Sequence, residues 1–537
     1  MSQLAALVPG LDPVTSTYLF AGLGIAVVVV ASRTLSRWSR VPYPVFLVVA
    51  GALASFMPGL GPITLEPRVV FLGFLPPLVY HAGLVTSPRE LRANALPIGL
   101  GALGLVLATT MAVAAVVWAL VPSFGWVGAF VLGAVVAPTD VVAAVSVFNR
   151  LGAPPRVTTV LEGESLVNDG IALALFGIGV AAVAAPMGIG SGLAAFVRVA
   201  GGGVAFGLVV GWVASRSRRP LRDSASQIVV SLLVPFAAYL PADALGLSGV
   251  LATLTTGLVL GQQPSSELDP SGRVQMSEFW QVLVFLLESV LFVLVGFQLR
   301  QLVAGIRGYP LRDVVFAAVL GSVVVVVVRL AWWMAIPTLR WRPEGRIIDT
   351  GDVPWQQRLA LGWSGLRGAI SLAAALSVPV AVSGHLFPDR DLLIFTTFCV
   401  IVVTLVGQGT SLPWLLRRLS IGGDDLERHQ RVLAERRCAE AALRLLDQLS
   451  AEEEISDDLA ELLRRRYERR LDQARVLAGD GASGAQPTLR SLRAVEAQVL
   501  SAQHEALRDL HRSGEISFTV MRAVRRDLDL DQARSQV

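Results

Sequence analysis

The residues best suited to chemistry form the sequence Ala137-Pro138-Thr139-Asp140, in the middle of a long apolar run. An ionised acid within membrane hydrocarbon costs about 2.5–3.5 kcal/mol even on lenient scales, so its presence there indicates a functional site. Pro138 removes a backbone donor and leaves carbonyl groups that need another partner. A broken helix with an acid at the break is typical of ion sites in membrane transporters. The alternative interpretation is a structural one, in which the proline only kinks the helix and the aspartate only makes hydrogen bonds within the protein.

The composition predicts the class of protein. Apolar residues make up 53% of the 537 positions and charged residues only 16%, which is typical of a polytopic membrane protein and excludes a soluble enzyme. All basic residues are arginines, and those before the C-terminal tail lie mainly in short loops between apolar runs. They act as topology signals, so the net charge of +4 does not indicate a nucleic-acid partner. Membrane lipid is the partner that this composition predicts.

Apolar runs of about 20 residues, the length that crosses the hydrocarbon, mark the candidate membrane spans. Thirteen spans are predicted, at 15–32, 42–58, 68–86, 95–121, 125–147, 158–183, 191–214, 225–241, 245–262, 277–299, 311–336, 357–382 and 391–415. With the C-terminus in the cytoplasm, most loop arginines fall inside, as the positive-inside rule requires. The five that fall outside are Arg68, Arg300, Arg307, Arg312 and Arg390. An odd number of spans then places the N-terminus outside.

A polar tail follows the transmembrane domain, which is predicted to cover 1–415. From 416 to 537 the chain is rich in Arg, Glu, Asp, Ala and Leu. Leucines recur there at helical spacing and predict amphipathic cytoplasmic helices. These leucines are Leu443, Leu446, Leu449, Leu459, Leu462 and Leu463. A loop is predicted at Gly479–Pro487, and the tail is expected to be solvated or to contact a regulator or a second protomer.

The span after Asp140 carries a second group of polar residues. On a helix Glu162, Ser165 and Asp169 share one face, and Glu164 and Asn168 form a neighbouring stripe. Carboxylates from two adjacent spans, with hydroxyls and freed carbonyls nearby, supply the hard oxygen ligands that a small alkali cation prefers. The alternative is that these polar groups only hydrogen-bond to other helices.

Three motifs together resemble a known family. They are Ala-Pro-Thr-Asp at 137–140, Glu-Gly-Glu-Ser-Leu-Val-Asn-Asp at 162–169 and Gly-Leu-Arg-Gly-Ala at 365–369. In this order and spacing they resemble the NhaP-type and eukaryotic sodium/proton exchangers of the cation:proton antiporter superfamily, over about 15–415. The resemblance implies an all-α fold in which two inverted six-helix repeats are joined by a linking helix and two broken helices cross at mid-membrane. It also implies a homodimer formed through the transmembrane domain, in a bacterial-type plasma membrane.

The resemblance further implies the roles of individual residues. Asp169 would be the essential acid that binds either the cation or the proton. Asp140, the Thr139 backbone carbonyl and Ser165 would complete the shell of a bound Na+. The family members with Asn before the key acid resemble electroneutral exchangers, so Asn168 predicts one cation for one proton.

Glu164 is expected to pair with an arginine, because an unpaired buried charge is costly. Arg329 is the preferred partner, and Arg367 at the second helix break is the alternative. The mechanism would be competition at one site, since a buried acid near a second acid holds its proton more tightly than in water. Such an acid carries either a proton or a cation near neutral pH. No enzyme activity and no resident cofactor is implied.

His81 departs from the family pattern, which usually has an acid at this position. A histidine within an apolar span is more often structural, yet its unperturbed pKa of about 6.5 lies where antiporters are regulated. Glu288 also lies within a span and is expected to pair either with His81 or with an arginine. Both residues are candidate modulators of transport, and the cation is expected to be Na+ with K+ as the alternative.

Two other functional classes stay open at this point. A cation channel would also place acids at mid-membrane, but it needs a continuous pore and would carry current far above the turnover of a carrier. An intramembrane aspartyl protease also uses two acids on adjacent helices. It would cleave peptides without depending on a cation.

Overall fold

The computed structural model describes residues 13–39, 41–57, 67–86, 91–92, 94–121, 124–151, 155–185, 188–218, 223–262, 270–335, 354–419 and 421. In the C-terminal part it describes residues 436, 439–450, 460–461, 463–465 and 467–468. The chain divides into two compact units, Met1–Gly423 and Asp424–Val537. The predicted loop at Gly479–Pro487 lies outside the described residues.

Helices form at all thirteen predicted apolar stretches of the first unit. In chain order they are α1 (Pro13–Trp38), α2 (Tyr43–Ser55), α3 (Pro67–Val85), α4 (Ala95–Leu120), α5 (Gly125–Val136), α6 (Val142–Leu151), α7 (Pro155–Ala181), α8 (Ile189–Arg218), α9 (Ser224–Ala244), α10 (Gly249–Gly261), α11 (Pro270–Phe297), α12 (Leu299–Gly305), α13 (Leu311–Ala335), α14 (Trp355–Trp363), α15 (Ala369–Leu376) and α16 (Arg390–Arg418). The helices α4 and α16 contain π-helical turns at Leu100–Leu105 and Val403–Gln408. Such turns occur frequently at functional sites.

The length and hydropathy of these helices fit a membrane protein. By length and composition alone, seven described stretches can cross a membrane, at Ala95–Leu120, Val157–Ala181, Gly190–Arg218, Ser224–Ala244, Val274–Gly308, Leu311–Ala335 and Arg390–Arg418. Five shorter apolar helices of 10–17 residues accompany them. Because the hydrocarbon offers no water, such helices satisfy their backbone groups internally.

Two of the predicted spans are interrupted. In the span at 125–147 the helix stops after Val136, residues 137–141 are not helical, and α6 then continues to Leu151. In the span at 357–382 the break covers residues 364–368. We call these segments the first break (137–141) and the second break (364–368).

The end of the second interrupted span corrects one expectation. The helix stops at Leu376 rather than at 382, and the strands β1 (Ala381–Val382) and β2 (His385–Leu386) then form a short antiparallel pair. Apart from this pair, the described elements of the first unit are helical, as the all-α prediction requires. Pro379 disfavours helical continuation, and Arg390 donates to the freed carbonyls of Leu376 at 3.1 Å and Val378 at 2.6 Å.

Glycines let neighbouring helices touch backbone to backbone. A side chain at Gly51 of α2 would collide with the Val293 carbonyl of α11, and one at Gly296 of α11 would collide with the Val48 carbonyl of α2. Small residues at helix contacts are typical of membrane proteins, where close approach replaces the hydrophobic drive that acts in water. This contact holds α2 and α11 in a fixed register.

The second unit contains a helix over 439–450. Leu446 is buried, Leu443 and Leu449 are partly buried, and Leu445 is exposed, as expected for an amphipathic helix. Arg464 donates to Asp447 at 2.5 Å, with both side chains more than a third exposed. Of the other leucines used in the prediction, Leu463 is partly buried, and Leu459 and Leu462 lie outside the described residues.

Candidate functional site

A backbone hydrogen bond joins the two breaks. In an uninterrupted helix the N–H of Asp140 would bond to the carbonyl of Val136. Here the Asp140 N–H donates to the carbonyl of Leu366 in the second break, at 2.8 Å. Pro138 has no N–H to continue the ladder. The hydrogen bond to the second break therefore replaces a helical hydrogen bond and stabilises the non-helical backbone of the first break.

Arg367 satisfies the carbonyls that the first break leaves. Its guanidinium donates from Nε to Val136 at 2.9 Å and from Nη2 to Ala137 at 3.4 Å, and Nη1 donates to the carbonyl of Gly365. Its own N–H donates to the Thr404 hydroxyl at 3.1 Å. The side chain is 1% exposed, so the five N–H donors of its guanidinium need hydrogen-bond partners inside the protein. Arg367 thus binds the backbone of both breaks.

Asp140 lies against the start of α15. A Cβ at Gly368, the residue that precedes α15, would collide with the Asp140 carboxylate. Only glycine leaves room for the acid at this position. The N-terminus of a helix carries a partial positive charge that stabilises a nearby anion. The second break therefore provides both space and a favourable field for Asp140.

A directional chain of hydrogen bonds fixes Thr139. Asn168 donates from Nδ2 to the Thr139 hydroxyl at 2.9 Å, and this hydroxyl donates to Glu164 Oε1 at 3.2 Å. Glu164 also accepts from Nη1 of Arg329, and its Oε2 accepts from Nη2 at 3.3 Å. Arg329 donates further from Nε to the carbonyl of Leu361, at 3.3 Å. All four side chains are at most 2% exposed.

The ion pair between Glu164 and Arg329 was expected, with Arg367 as the alternative partner of Glu164. Arg329 holds both carboxylate oxygens of Glu164, whereas Arg367 points its donors at carbonyls. A bidentate pair of this kind is geometrically specific. It ties α7 to α13 and supports the first break through Thr139.

The candidate ion ligands come together beside this network. Ser165 donates to the Thr139 carbonyl at 2.9 Å, and a carbonyl oxygen keeps a second lone pair for a cation. Asp169 lies one helical turn after Ser165 on α7, and the side chains of Asp140 and Asp169 are both partly buried. The carboxylates, the carbonyl and the hydroxyl form an all-oxygen donor set that suits a hard alkali cation. The assignment of Asp169, Asp140, Thr139 and Ser165 to ion binding stays a prediction.

The formal charges of five residues around the breaks, without Glu288, sum to a single negative charge. The acids Asp140, Asp169 and Glu164 contribute three negative charges, and Arg329 and Arg367 contribute two positive charges. A Cβ at Gly365 would collide with both Arg329 and Arg367, so the two guanidinium groups lie close together. One bound monovalent cation or one proton therefore neutralises these five residues.

The structure corrects the expectation for Glu288. Within the described residues Glu288 forms no ion pair with His81 or with an arginine. Its Oε2 accepts a hydrogen bond from the Tyr43 hydroxyl at 3.3 Å, and both side chains are partly buried.

His81 lies in an aromatic cluster. Its ring stacks on Trp280, with 5.7 Å between ring centroids and 22° between planes. Trp280 also donates to Ser231 at 3.1 Å and packs against Tyr80. In the described part of the chain no hydrogen bond or ion pair connects His81 to Asp140, Asp169 or Glu288. Its role as a modulator stays a prediction.

Sequence reasoning missed Tyr43, Thr404 and the Leu361 carbonyl. A tyrosine within an apolar run needs a partner for its hydroxyl, so Tyr43 carried a signal that could have been used. Thr404 and the Leu361 carbonyl carry no such signal, because a threonine or a backbone oxygen in a helix is ordinary. Their roles arise only from the packing of distant helices.

Comparison with known proteins gives a family and relatives. The model of the family described as "Sodium/hydrogen exchanger, transmembrane" matches residues 24–418. The chain is 37% identical over 529 residues to an uncharacterised Na+/H+ exchanger of Mycobacterium tuberculosis, with 95% of each chain covered. It is 30% identical over 408 residues to a sodium, potassium, lithium and rubidium/H+ antiporter of Bacillus pumilus, covering 74% of this chain and 61% of the relative.

Among solved structures, the fold is similar to that of the sodium proton antiporter MjNhaP1 from Methanocaldococcus jannaschii. The TM-score is 0.58 at 16% identity, and the match covers 76% of this chain and 99% of that structure. The similarity establishes an all-helical membrane fold with several apolar spans.

Proposed function

The chain belongs to the sodium/hydrogen exchanger family, and from this premise we propose that it exchanges Na+ for H+ across the membrane. The observation that supports the proposal is the hydrogen bond at 2.9 Å from Ser165 to the Thr139 carbonyl in the first break, which brings the segment with Asp140 next to the helix that carries Asp169. This arrangement supports competition of the two ions for the two acids, with Asp169 as the main carrier. No covalent chemistry takes part, which agrees with a transporter family rather than an enzyme.

The charge at the breaks supports a stoichiometry of one cation for one proton. Asp140, Asp169 and Glu164 leave one negative charge after Arg329 and Arg367 are counted. A Na+ and a proton each neutralise this charge, so the loaded carrier has the same charge in both directions. Movement of a neutralised site through a low-dielectric region is favoured over movement of a charged one. The proposed exchange is therefore electroneutral.

Asn168 supports the same conclusion from a hydrogen bond. Its Nδ2 donates to the Thr139 hydroxyl at 2.9 Å, which a carboxylate at this position could not do. The Asn168→Asp variant would also add a second negative charge to the group. We expect exchange by this variant to respond to a membrane potential, whereas exchange by the wild type does not.

The membrane arrangement is part of the proposal. We propose thirteen spans built from two inverted six-helix repeats with the two broken helices crossing, the N-terminus outside and the C-terminus in the cytoplasm. The distribution of loop arginines supports this orientation. A homodimer through the transmembrane domain and contact of the tail with a regulator or the second protomer are also proposed. Cysteine accessibility from each side of the membrane tests the orientation.

A second candidate is K+/H+ exchange. The printed name of the Bacillus pumilus relative includes potassium, and an all-oxygen donor set accepts both ions. The two alternatives differ only in the fit of the cation to the site. A direct comparison of the cations decides between them.

The decisive experiment uses purified protein in liposomes that contain a pH-sensitive dye. The wild type is expected to move protons on addition of Na+, and parallel runs with K+ and Li+ give the selectivity. Asp169→Asn is expected to abolish exchange while the protein stays folded. Wild-type rates in that variant would refute the assignment of Asp169.

The same liposomes separate the remaining alternatives. An imposed membrane potential should leave the wild-type rate unchanged, and a clear change would refute electroneutral exchange. A current far above carrier turnover would indicate a channel. Cleavage of peptides that does not depend on Na+ would indicate a protease.

A further inference from the structure

Gln408 is a buried polar side chain that the mechanism described so far does not use. It is the last residue of the π-helical turn Val403–Gln408 in α16 and is 4% exposed. In the described part of the chain neither Oε1 nor Nε2 of its amide has a hydrogen-bond partner. Most buried side-chain polar atoms in proteins are paired, and π-helical turns occur frequently at functional sites. The amide of Gln408 therefore needs a partner that the described residues do not supply.

Contacts on both sides of Gln408 place it against the second break. Four positions earlier, the Thr404 hydroxyl accepts from the Arg367 N–H at 3.1 Å. Three positions later, the Ser411 hydroxyl accepts from Nε1 of Trp363, the last residue of α14, at 2.9 Å. Residues three and four apart share one face of a helix, so the Gln408 side chain lies on the face that meets the second break.

The residue next to Gln408 lies close to the segment that holds the first acid. A Cβ on Gly409 would lie 3.8 Å from the Leu366 side chain. The Leu366 carbonyl accepts the hydrogen bond from the Asp140 N–H at 2.8 Å. Leu366 therefore contacts α16 on one side and the backbone of Asp140 on the other.

Exposure increases along this face of α16. Thr404 is fully buried, Gln408 is 4% exposed, and Ser411 is partly exposed. We call these three residues the polar stripe. Polar groups within a membrane span face the protein interior or a water-filled cavity rather than lipid. The polar stripe therefore leads from the second break toward the more exposed end of α16.

The two unpaired atoms of the amide decide the kind of occupant. A cation would bind Oε1 but would be repelled by the hydrogens of Nε2, and an anion would bind only Nε2. A water molecule accepts from Nε2 and donates to Oε1. Buried waters typically make about three hydrogen bonds to polar groups that lack another partner. The amide of Gln408 is thus suited to water.

We propose that Gln408 binds water beside the second break, and that this water carries protons between the polar stripe and the ion site. The inference rests on the proposed function, because it assumes that the site next to Asp140 takes up and releases protons. The water accepts one proton and gives up another, so it is regenerated in each transfer. Gln408 is a positioning residue in this step, since its amide holds the water and does not itself change protonation.

The first test compares two replacements of Gln408 in the full-length protein. Gln408→Met keeps the length of the side chain but removes both hydrogen-bonding atoms, so the maximal exchange rate should fall about tenfold. KM for Na+ should stay within about twofold of wild type, because the proposed cation ligands are unchanged. Gln408→Ser leaves a polar space that water can fill, so its maximal rate should stay within about threefold of wild type.

A packing role for Gln408 predicts the opposite order of the two variants. Met preserves the volume of the side chain, whereas Ser leaves a cavity. The control is Leu405→Met, a volume-conserving change at a buried position of the same π-helical turn, which should leave the rate unchanged. Wild-type rates in Gln408→Met would overturn the proposal, as would a larger loss in Gln408→Ser than in Gln408→Met.

A labelling measurement tests for water at Gln408 without transport. Gln408→Cys and the control Leu405→Cys are made in full-length protein in which Cys399 and Cys438 are replaced by Ser. A thiol reacts as the thiolate, which a buried apolar environment disfavours. With 2-aminoethyl methanethiosulfonate added from each side in turn, Gln408→Cys should react at least about tenfold faster than Leu405→Cys, which lies in the apolar core. Equally slow labelling at both positions would overturn the proposal.

The two proposals fail in different ways. If Gln408→Cys is labelled fast but the wild type exchanges no ions, exchange is refuted while the water at Gln408 stands. If the wild type exchanges ions and Gln408→Met does so at the same rate, the role of this water in proton transfer is refuted while antiport stands. If neither labelling nor exchange occurs, both are refuted.

Discussion

The two helix breaks of this protein have opposite chemical characters. The first break follows Pro138 and presents an acid, Asp140, and the carbonyl of Thr139. The second break contains Gly365 and Gly368 and presents a buried cation, Arg367. Each supplies what the other lacks, since Leu366 accepts from the Asp140 N–H and Arg367 donates to the carbonyls of Val136 and Ala137.

The difference shows how buried positive charges can hold a broken backbone. The Arg367 guanidinium donates to the backbone carbonyls of Val136, Ala137 and Gly365. Arg329 is paired with Glu164 and also donates to the Leu361 carbonyl. The two arginines therefore stabilise the backbone of the breaks and the carboxylate that supports it.

The largest expected effect concerns the buried pair of Glu164 and Arg329, which supports the first break through Thr139. Glu164→Ala and Arg329→Ala should each lower the free energy of unfolding by about 3–5 kcal/mol, because the remaining charge is left buried and unpaired. The double variant should lose less than the sum of the two. Thermal unfolding in detergent measures these changes. Strictly additive losses would contradict the pairing.

The exposed pair of Asp447 and Arg464 is the matched control for this cycle. Its side chains are 61% and 36% exposed, and it also joins one carboxylate to one guanidinium. The same double-mutant cycle should give a coupling of at most about 1 kcal/mol, as measured for exposed ion pairs. A coupling as large as that of the buried pair would mean that burial does not set the difference.

A smaller effect on stability, with a large effect on transport, is expected for Gly368→Ala. The new methyl group would collide with the Asp140 carboxylate, and overpacking of this kind costs about 1–3 kcal/mol. Exchange should fall about tenfold or more, because the acid is displaced from the start of α15. Gly409→Ala is the control, since its methyl group would meet its nearest neighbours at 3.7 and 3.8 Å, an ordinary contact. Equal exchange rates in the two variants would contradict this placement of Asp140.

The smallest expected effect lies outside both breaks, at His81. Loss of its stack on Trp280 in His81→Gln should lower the free energy of unfolding by about 0.5–1.5 kcal/mol. The dependence of exchange on pH should stay as in the wild type, because His81 stacks on Trp280 and, among the described residues, no hydrogen bond or ion pair joins it to the acids. Rates measured between about pH 5.5 and 8.5 bracket the ordinary histidine range. A shifted acidic limb would instead place His81 in the ion pathway.

The sequence predicted much of the fold and of the site. The thirteen apolar stretches appear as helices because apolar length and hydropathy are local properties. The interruption near Pro138 was predictable because proline removes a donor wherever it stands. The need of Glu164 for an arginine followed from the cost of burying its charge alone, whereas the choice of Arg329 over Arg367 was made by the structure. By contrast, the helical end predicted at 382 was wrong, since apolar residues continue past Leu376 into the β1–β2 hairpin.

The amino-acid sequence by itself determined which chemical groups lie in the apolar part of the protein and that they could not face lipid. Only the tertiary structure decided which partner each of them has. Glu288 bonds to Tyr43, 245 positions earlier in the chain, and Arg367 reaches the carbonyl of Val136, 231 positions earlier. A charge or a broken backbone dictates locally that some partner is needed. The identity of that partner depends on which distant helices pack within hydrogen-bond distance, and this is a property of the whole fold.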